Sequence, residues 1–199
     1  MEEKTEEKIL DAAKKVFIEK GLDGARMQEI ANEAGINKAL LHYYYRSKNQ
    51  LFEAVYEQVF KEVLPKMYGL FMQETSLLDI IPQFFELHME FLKRNPSIPL
   101  FILMEIKKVP DFMKRMMDKN QIDMLAVVKA KVAAAVDAGL IRSIKGEDLI
   151  LNMLSLSVFQ FAAAPMYQAV AGITEEEYFE IIDERKKSLA EFVINAIKK

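Results

Sequence analysis

Gly35 sits between two short stretches of helical pattern and ahead of a third helix start, and this layout limits what the chain can fold into more than any other feature. Upstream, Met27, Ile30, Ala31 and Ala34 recur at i, i+3, i+4 and i+7, which is one apolar stripe on a 3.6-residue period. Gly35 ends that helix because glycine accepts the left-handed backbone of a helix C-terminus without penalty. Small Ala31, four residues earlier, lets a second helix cross closely. On a wheel drawn from Asn37, Leu41 and Tyr45 fall together while Lys38, Ala39, His42 and Tyr43 fall opposite. One face packs and the other is free to read a surface. Ser47 with Gln50 three residues later is a capping box, so the spacing predicts a helix from Lys48. A cation beside the free N–H groups of a helix start suits a phosphate. Two short helices, a glycine turn and a capped third start together make the layout of a helix-turn-helix DNA reader.

The charge distribution fits that layout although the total does not. The formal net charge is -3, against the usual footprint of a nucleic-acid binder. Residues 1–34 hold nine Asp/Glu against six Lys/Arg, whereas residues 35–48 hold Lys38, Arg46 and Lys48 with no acid. The positive charge is local and sparse, which implies modest affinity for random DNA and binding that weakens as salt rises. Asn37, Lys38 and Ala39, at the start of the second short helix, supply the donors and the methyl-sized group that a major-groove edge requires. His42, Tyr43 and Tyr44 suit backbone positioning, Lys48 a phosphate, and Tyr45 the core.

The run Glu29-Ile30-Ala31, Ala34-Gly35-Ile36, Lys38, Leu41, Tyr43-Tyr44-Tyr45 and Ser47-Lys48 strongly resembles the N-terminal domain of the tetracycline-repressor (TetR) family of bacterial transcriptional regulators. The chain departs from the family pattern in places. Ala25 and Arg26 stand where a Thr or Ser usually caps the second helix, Gln28 stands where Arg is common, and Leu40 and His42 replace a frequent Thr and Tyr. The resemblance implies a regulator, a repressor by type, that binds a palindromic operator as a homodimer and is released by a ligand, with a connector helix carrying movements of the body to the head.

Around the motif the chain reads as helix throughout. A first helix is expected from about Thr5 to Lys20, with Ile9, Leu10, Ala13, Val16 and Phe17 on its apolar face and Gly21 as its stop. The helix from Lys48 carries Leu51, Phe52, Val55, Val59, Phe60 and Val63, and Pro65 is expected to kink or end it. Beyond it, prolines and glycines punctuate helical stretches and no alternating apolar and polar run reads as a strand. The expected fold is all-α: an N-terminal three-helix helix-turn-helix domain over residues 1–47, with a connector from 48, and a helical ligand-binding and dimerisation domain over residues 48–199.

Two stripes in that body invite a pocket. Around residues 80–95, Ile81, Phe84, Phe85, His88 and Leu92 share a face, with Gln83, Glu86, Glu90, Lys93 and Arg94 opposite. Over the stretch 111–138, read as one long segment, Met113, Met116, Met117, Asn120, Met124 and Val128 form the second stripe. Methionine is flexible and polarizable, so such a stripe serves either a plain core or a cavity that adapts to its guest. The pocket reading gathers Phe84, Phe85, His88, Phe101, Met104, Met113, Met116, Met117 and Phe159 around a neutral or weakly charged hydrophobic effector. His88 is then either an interior histidine satisfied by a partner or the polar group that orients the guest. A metal site is not expected, since the other histidine is His42 and there is no cysteine.

No charged residue stands between Asp148 and Glu175, a length that prompts a membrane reading. Asn152, Ser155, Ser157, Gln160 and Gln168 recur through it and Pro165 breaks it, so a helix buried within protein is the expectation. Thr174 with Glu177 is a further capping box, opening a last helix with Tyr178, Ile181, Ile182, Leu189, Phe192, Val193 and Ile197 on its apolar side. The last two helices, near 147–168 and 175–197, carry more apolar surface than one body covers, and the resemblance places a homodimer interface there.

Composition removes other classes. Zero cysteines exclude a disulfide framework and a thiolate metal site, and the acidic opening MEEKTEEK lacks the basic and apolar regions of a secretory signal, so a cytoplasmic protein is expected. No Ser/His/Asp, Cys/His, phosphate-loop or metal constellation is present, so neither an enzyme nor a cofactor is expected. The alternative to a regulator is an all-helical scaffold or adaptor without DNA affinity.

Overall fold

The computed structural model describes residues 2–105 and 111–199, with side chains described for all of these except 2, 3, 105, 112 and 113. Eleven helices follow one another among the described residues: α1 Glu2–Gly24, α2 Met27–Glu33, α3 Lys38–Tyr44, α4 Lys48–Met72, α5 Leu77–Arg94, α6 Ile98–Glu105, α7 Phe112–Lys119, α8 Met124–Asp137, α9 Gly146–Ala162, α10 Ala164–Ala171 and α11 Glu175–Ile197. No strand forms among them, and the one extended pairing is an isolated bridge between Ile141 and Lys198. The all-α expectation holds.

The capping chemistry explains many of the boundaries. Gly21, at φ 67 and ψ 175, breaks the helical path of α1 at the expected stop, although one further turn follows it to Gly24. Gly35, at φ 68, closes α2 in the left-handed conformation. The Ser47 hydroxyl accepts from the Gln50 N–H at 3.2 Å and α4 begins at Lys48. Thr174 and Glu177 form the full reciprocal box that opens α11.

Of the two outcomes expected at Pro65, an end to α4 does not occur: the helix runs through it to Met72, and the proline leaves the Lys61 carbonyl without its usual donor. Two other expectations are corrected. The stretch 111–138 is two helices, because Gln121 turns to φ 54 and Asp123 caps α8 by accepting from the Ala126 N–H at 2.9 Å. The methionine stripe is therefore divided: Met116 is buried, Met117 and Met124 are half-buried and Asn120 is exposed. The stretch 147–168 is also broken, at Ala163, where α9 and α10 meet at 60°. Among the described residues no single helix is long and apolar enough to cross a membrane.

The chain gathers into two compact units. The first comprises Met1–Glu62 and Phe101–Met116, the second Val63–Leu100 and Met117–Lys199, so the division falls inside α4, two residues before Pro65. In the first unit Ile9, Phe17, Ile30, Leu41, Leu51 and Phe52 are fully buried. The Phe52 ring lies edge-on to Phe17 at 5.1 Å and to Phe101 at 5.5 Å, while Tyr56 stacks on Phe101 at 5.1 Å. Edge-to-face rings of this kind add about 0.5–1.5 kcal/mol beyond their buried area. In the second unit α5 packs on α9 and α11, and α8 packs on α9. The α8–α9 approach is close because Gly146 has no side chain: a Cβ there would lie 2.8 Å from the Lys129 Cα.

Candidate functional site

The polar face of the first unit is built from α2, the Gly35 turn and α3. Leu41 is wholly buried and Tyr45 is 9% exposed, and these anchor α3 as the wheel requires. The Tyr45 hydroxyl donates to the Glu6 carboxylate at 2.8 Å, fixing the end of α3 to α1. Burial and that bond hold the phenol well above its ordinary pKa, so it remains a donor. With Leu41 and Tyr45 turned inward, Lys38, Ala39, His42 and Tyr43 all face solvent, Tyr43 at 75%. Tyr44 is half-buried and holds Tyr43 edge-to-face at 5.6 Å.

Electrostatics sharpen this face. Lys15 pairs with Glu33 at 2.5 Å and Lys20 with Glu29 at 3.2 Å, so two cations of α1 are neutralised by acids of α2. Lys38 and Arg46 have no ionic partner among the described residues and stay available to an anion. The arrangement can bind a polyanion through α3 and its flanks, with polar and aromatic side chains held outward by a small apolar core.

Two side chains have local work that the sequence reading did not assign. Asn37 is exposed, but its carboxamide oxygen accepts from the Leu40 N–H at 2.8 Å and caps α3, which leaves its NH2 as the free end. An Asn immediately before a helix start is a legible capping signal. Lys48 is half-buried, and its ammonium donates to the carbonyls of Asp23 at 3.1 Å and Ala25 at 3.0 Å. That contact spans more than twenty residues and has no signature in the chain. The missing cap at the start of α2 is as read from the sequence: Arg26 provides no side-chain hydrogen bond there.

The expected ligand residues divide between the two units. Phe84, Phe85, His88, Met117 and Phe159 belong to the second; Phe101, Met104 and Met116 belong to the first; the side chain of Met113 lies outside the described residues. Phe84 and Phe85 are fully buried and His88 is 7% exposed. Met104 and Phe159 stand apart at 61% and 67% exposed, and a side chain turned to solvent cannot wall an enclosed cavity within its own chain. His88 meets Ser157, a residue the sequence did not link to it, at 2.8 Å between Nδ1 and Oγ. Burial lowers its pKa to about 4 with no charged group contributing, so the ring is neutral near pH 7. Next along α9, the Gln160 amide oxygen accepts from the Arg185 Nε at 2.9 Å and the Gln160 carbonyl from the Tyr178 hydroxyl at 2.7 Å. These bonds tie α9 to α11 through polar groups inside an apolar body. Among the described residues no group of three or more His, Cys, Asp or Glu is placed to hold a metal ion.

Residues 9–55, which contain α2, the Gly35 turn and α3, match the family of bacterial regulatory proteins described as the tetR family. Those residues carry the N-terminal domain of the TetR family. Its relatives include the HTH-type transcriptional regulator RutR of Escherichia coli strain K12, 28% identical over 176 residues that span 86% of this chain and 81% of RutR. Among solved structures, HlyIIR, a hemolysin II transcriptional regulator, aligns over 100% of this chain and 99% of its own with a TM-score of 0.68 and 23% identity. FadR from Bacillus subtilis, in complex with stearoyl-CoA, aligns over 94% and 96% with a TM-score of 0.71 and 12% identity. At those identities the two structures share the fold. With that domain and with transcriptional regulators as its relatives, the chain is a DNA-binding transcriptional regulator and not an enzyme. α3 is the second helix of that helix-turn-helix.

Proposed function

We propose that this regulator binds a palindromic operator as a homodimer and leaves it when a small hydrophobic molecule occupies the body. The observation that carries the reading is the outward set Lys38, Ala39, His42 and Tyr43 on a helix whose other side is locked by Leu41 and Tyr45. Asn37, Lys38 and Ala39 read base edges, while His42, Tyr43, Tyr44 and Lys48 hold the backbone. The DNA-reading part is residues 1–47, with α4 as connector to a sensing and dimerising part over residues 48–199.

The dimer forms through α9 and α11. Their support is exposed apolar surface: Leu151, Phe159 and Phe192 are 63%, 67% and 62% exposed. An open groove of about 300 Å³ runs along the same helices, bordered by Asn152, Leu156, Phe192 and Val193. A two-fold pairing of those faces sets two α3 helices about one DNA turn or somewhat more apart. Phe161 is not part of that face; it is 4% exposed and belongs to the interior of the second unit.

The effector contacts are assigned to Phe84, Phe85, His88 and Met117 of the second unit, an apolar wall with one polar group. A solved structure of the same fold, FadR, carries stearoyl-CoA, which supports a hydrophobic guest for the body. The test is a mobility-shift titration of the full chain on upstream DNA from its own locus, with random DNA of equal length as competitor. Operator binding at least about a hundredfold above random DNA is expected. Equal affinity for both would overturn the reading.

A further inference from the structure

Leu40 is an apolar side chain of α3 that the interior of the head does not use. That interior is closed without it: Ile30, Ala31 and Leu41 are wholly buried, and Tyr45 packs at the far end of the same side. Leu40 is 36% exposed, beside exposed Ala39 and three residues before Tyr43, which is 75% exposed. At about 100° of rotation per residue, Ala39 and Leu40 flank the direction in which Tyr43 projects. Among the described side chains of residues 1–47, Leu40 and Tyr43 are the exposed large apolar ones, and both lie on α3. The place of Leu40 is also fixed, because its N–H donates to the Asn37 carboxamide oxygen at 2.8 Å in the cap of the helix. Leucine has no donor or acceptor to offer a phosphate or a polar base edge. In the major groove its counterpart is the one apolar group displayed there, the C5 methyl of thymine. Ala39 carries a single methyl close to its backbone, whereas the branched end of Leu40 reaches further.

We propose that Leu40 is a specificity-determining residue of the DNA-reading face, and that it reads the C5 methyl of one thymine in each operator half-site. Discrimination has two sources. A thymine methyl against Leu40 leaves water, which favours the T·A pair. A cytosine in its place lacks the methyl and presents an amino donor, which loses water against a side chain unable to accept from it. Lys38, two residues earlier, offers the donors that suit guanine, so neighbouring side chains of one helix turn favour different base pairs. The inference rests on the reading of α3 as the helix that lies in the major groove of a palindromic operator.

The test uses the full chain and the site that it protects in footprinting of upstream DNA from its own locus. Duplexes of that site are made with each thymine in turn replaced by deoxyuridine, which removes the methyl and keeps the base pair and its hydrogen-bonding edge. Fluorescence anisotropy at fixed salt gives the affinities. At one thymine per half-site the replacement should weaken binding about fourfold, the effect of one buried methyl group. Leu40→Ala should bind the thymine duplex more weakly, and its difference between thymine and uracil at that position should disappear. The exposed position favours a folded variant; should Leu40→Ala fail to fold, Leu40→Gln keeps side-chain length and helix propensity and should also abolish the difference. No thymine with a methyl effect, or an effect that persists in a folded Leu40 variant, overturns the proposal and leaves α3 standing as the reading helix. Binding of upstream DNA no tighter than that of random DNA of equal length overturns both.

Discussion

The Lys48 ammonium donates to the Ala25 carbonyl at 3.0 Å, joining the first turn of α4 to the corner between α1 and α2. The same group reaches the Asp23 carbonyl at 3.1 Å. These carbonyls follow the break at Gly21 and lie beside the uncapped start of α2, where backbone groups lack helical partners. An ammonium has three hydrogens, so two are engaged and one is free for a phosphate. Lys48→Met is therefore expected to lower both stability and DNA affinity. The stability loss should be about 1 kcal/mol, since hydrogen bonds to a charged donor contribute up to about 3 but this one is partly solvated. The slope of log affinity against log salt should flatten by about one phosphate contact. Melting curves and salt titrations of one variant read both effects, and an unchanged melting temperature would remove the tether.

His42→Ala and Tyr43→Ala should fold normally, because both side chains face solvent. Each should weaken operator binding by roughly tenfold, the scale of one lost contact. Fluorescence anisotropy at fixed salt measures it. Full operator affinity in a folded double variant would exclude this face of α3 from the groove.

Replacement of Phe159 and Phe192 by Glu should turn a dimer into a folded monomer, since two-thirds of each side chain is exposed in the single chain. Phe161→Glu should behave differently and unfold the second unit, because it drives a charge into a 4% exposed position. Sedimentation velocity with circular dichroism separates the outcomes. A dimer that persists in the Phe159/Phe192 variant moves the interface elsewhere.

His88 should make the second unit sensitive to acid. Its folded pKa is about 4, below the ordinary histidine value of 6.5, so the unfolded chain binds more protons between those values. The sign follows: stability present above pH 6.5 is lost as pH falls toward 4. The full loss is about 3 kcal/mol at 1.36 kcal/mol per pKa unit. His88→Gln keeps a donor for Ser157 without the titration and should remove this part of the pH dependence. Asp183, held below the usual carboxylate range by its hydrogen bond from Lys93, is present in both proteins and cancels in the difference between them. Denaturant melts of both proteins at pH 4.5 to 7.5 give the difference, and parallel curves would contradict a neutral buried ring.

Much of the head was legible because its signals are local. Gly35, the Ser47 cap and the alternation of Leu41 and Tyr45 with Lys38, His42 and Tyr43 each act within one or two helical turns, and the observed α2, α3 and start of α4 follow them. The body was legible as helix but not as sites. Gln121 shows why: a non-glycine residue at positive φ splits a stretch whose periodicity read as continuous, and the stripe splits with it.

The sequence by itself determined the helix-turn-helix, the all-α class, the caps that start α4 and α11, and which side of α3 and of α5 is apolar. Those follow from backbone preferences and side-chain periods within a few residues. Only the tertiary structure decided that Lys48 serves Asp23 and Ala25, that Tyr45 meets Glu6, and that His88 meets Ser157 across 69 positions of chain. It also decided that Phe159 faces solvent while Phe161 is buried, two residues apart on one apolar helix. Periodicity says that a helix has an apolar side; which neighbour covers it, and which polar atoms meet there, depend on how distant segments pack, and no local pattern encodes that.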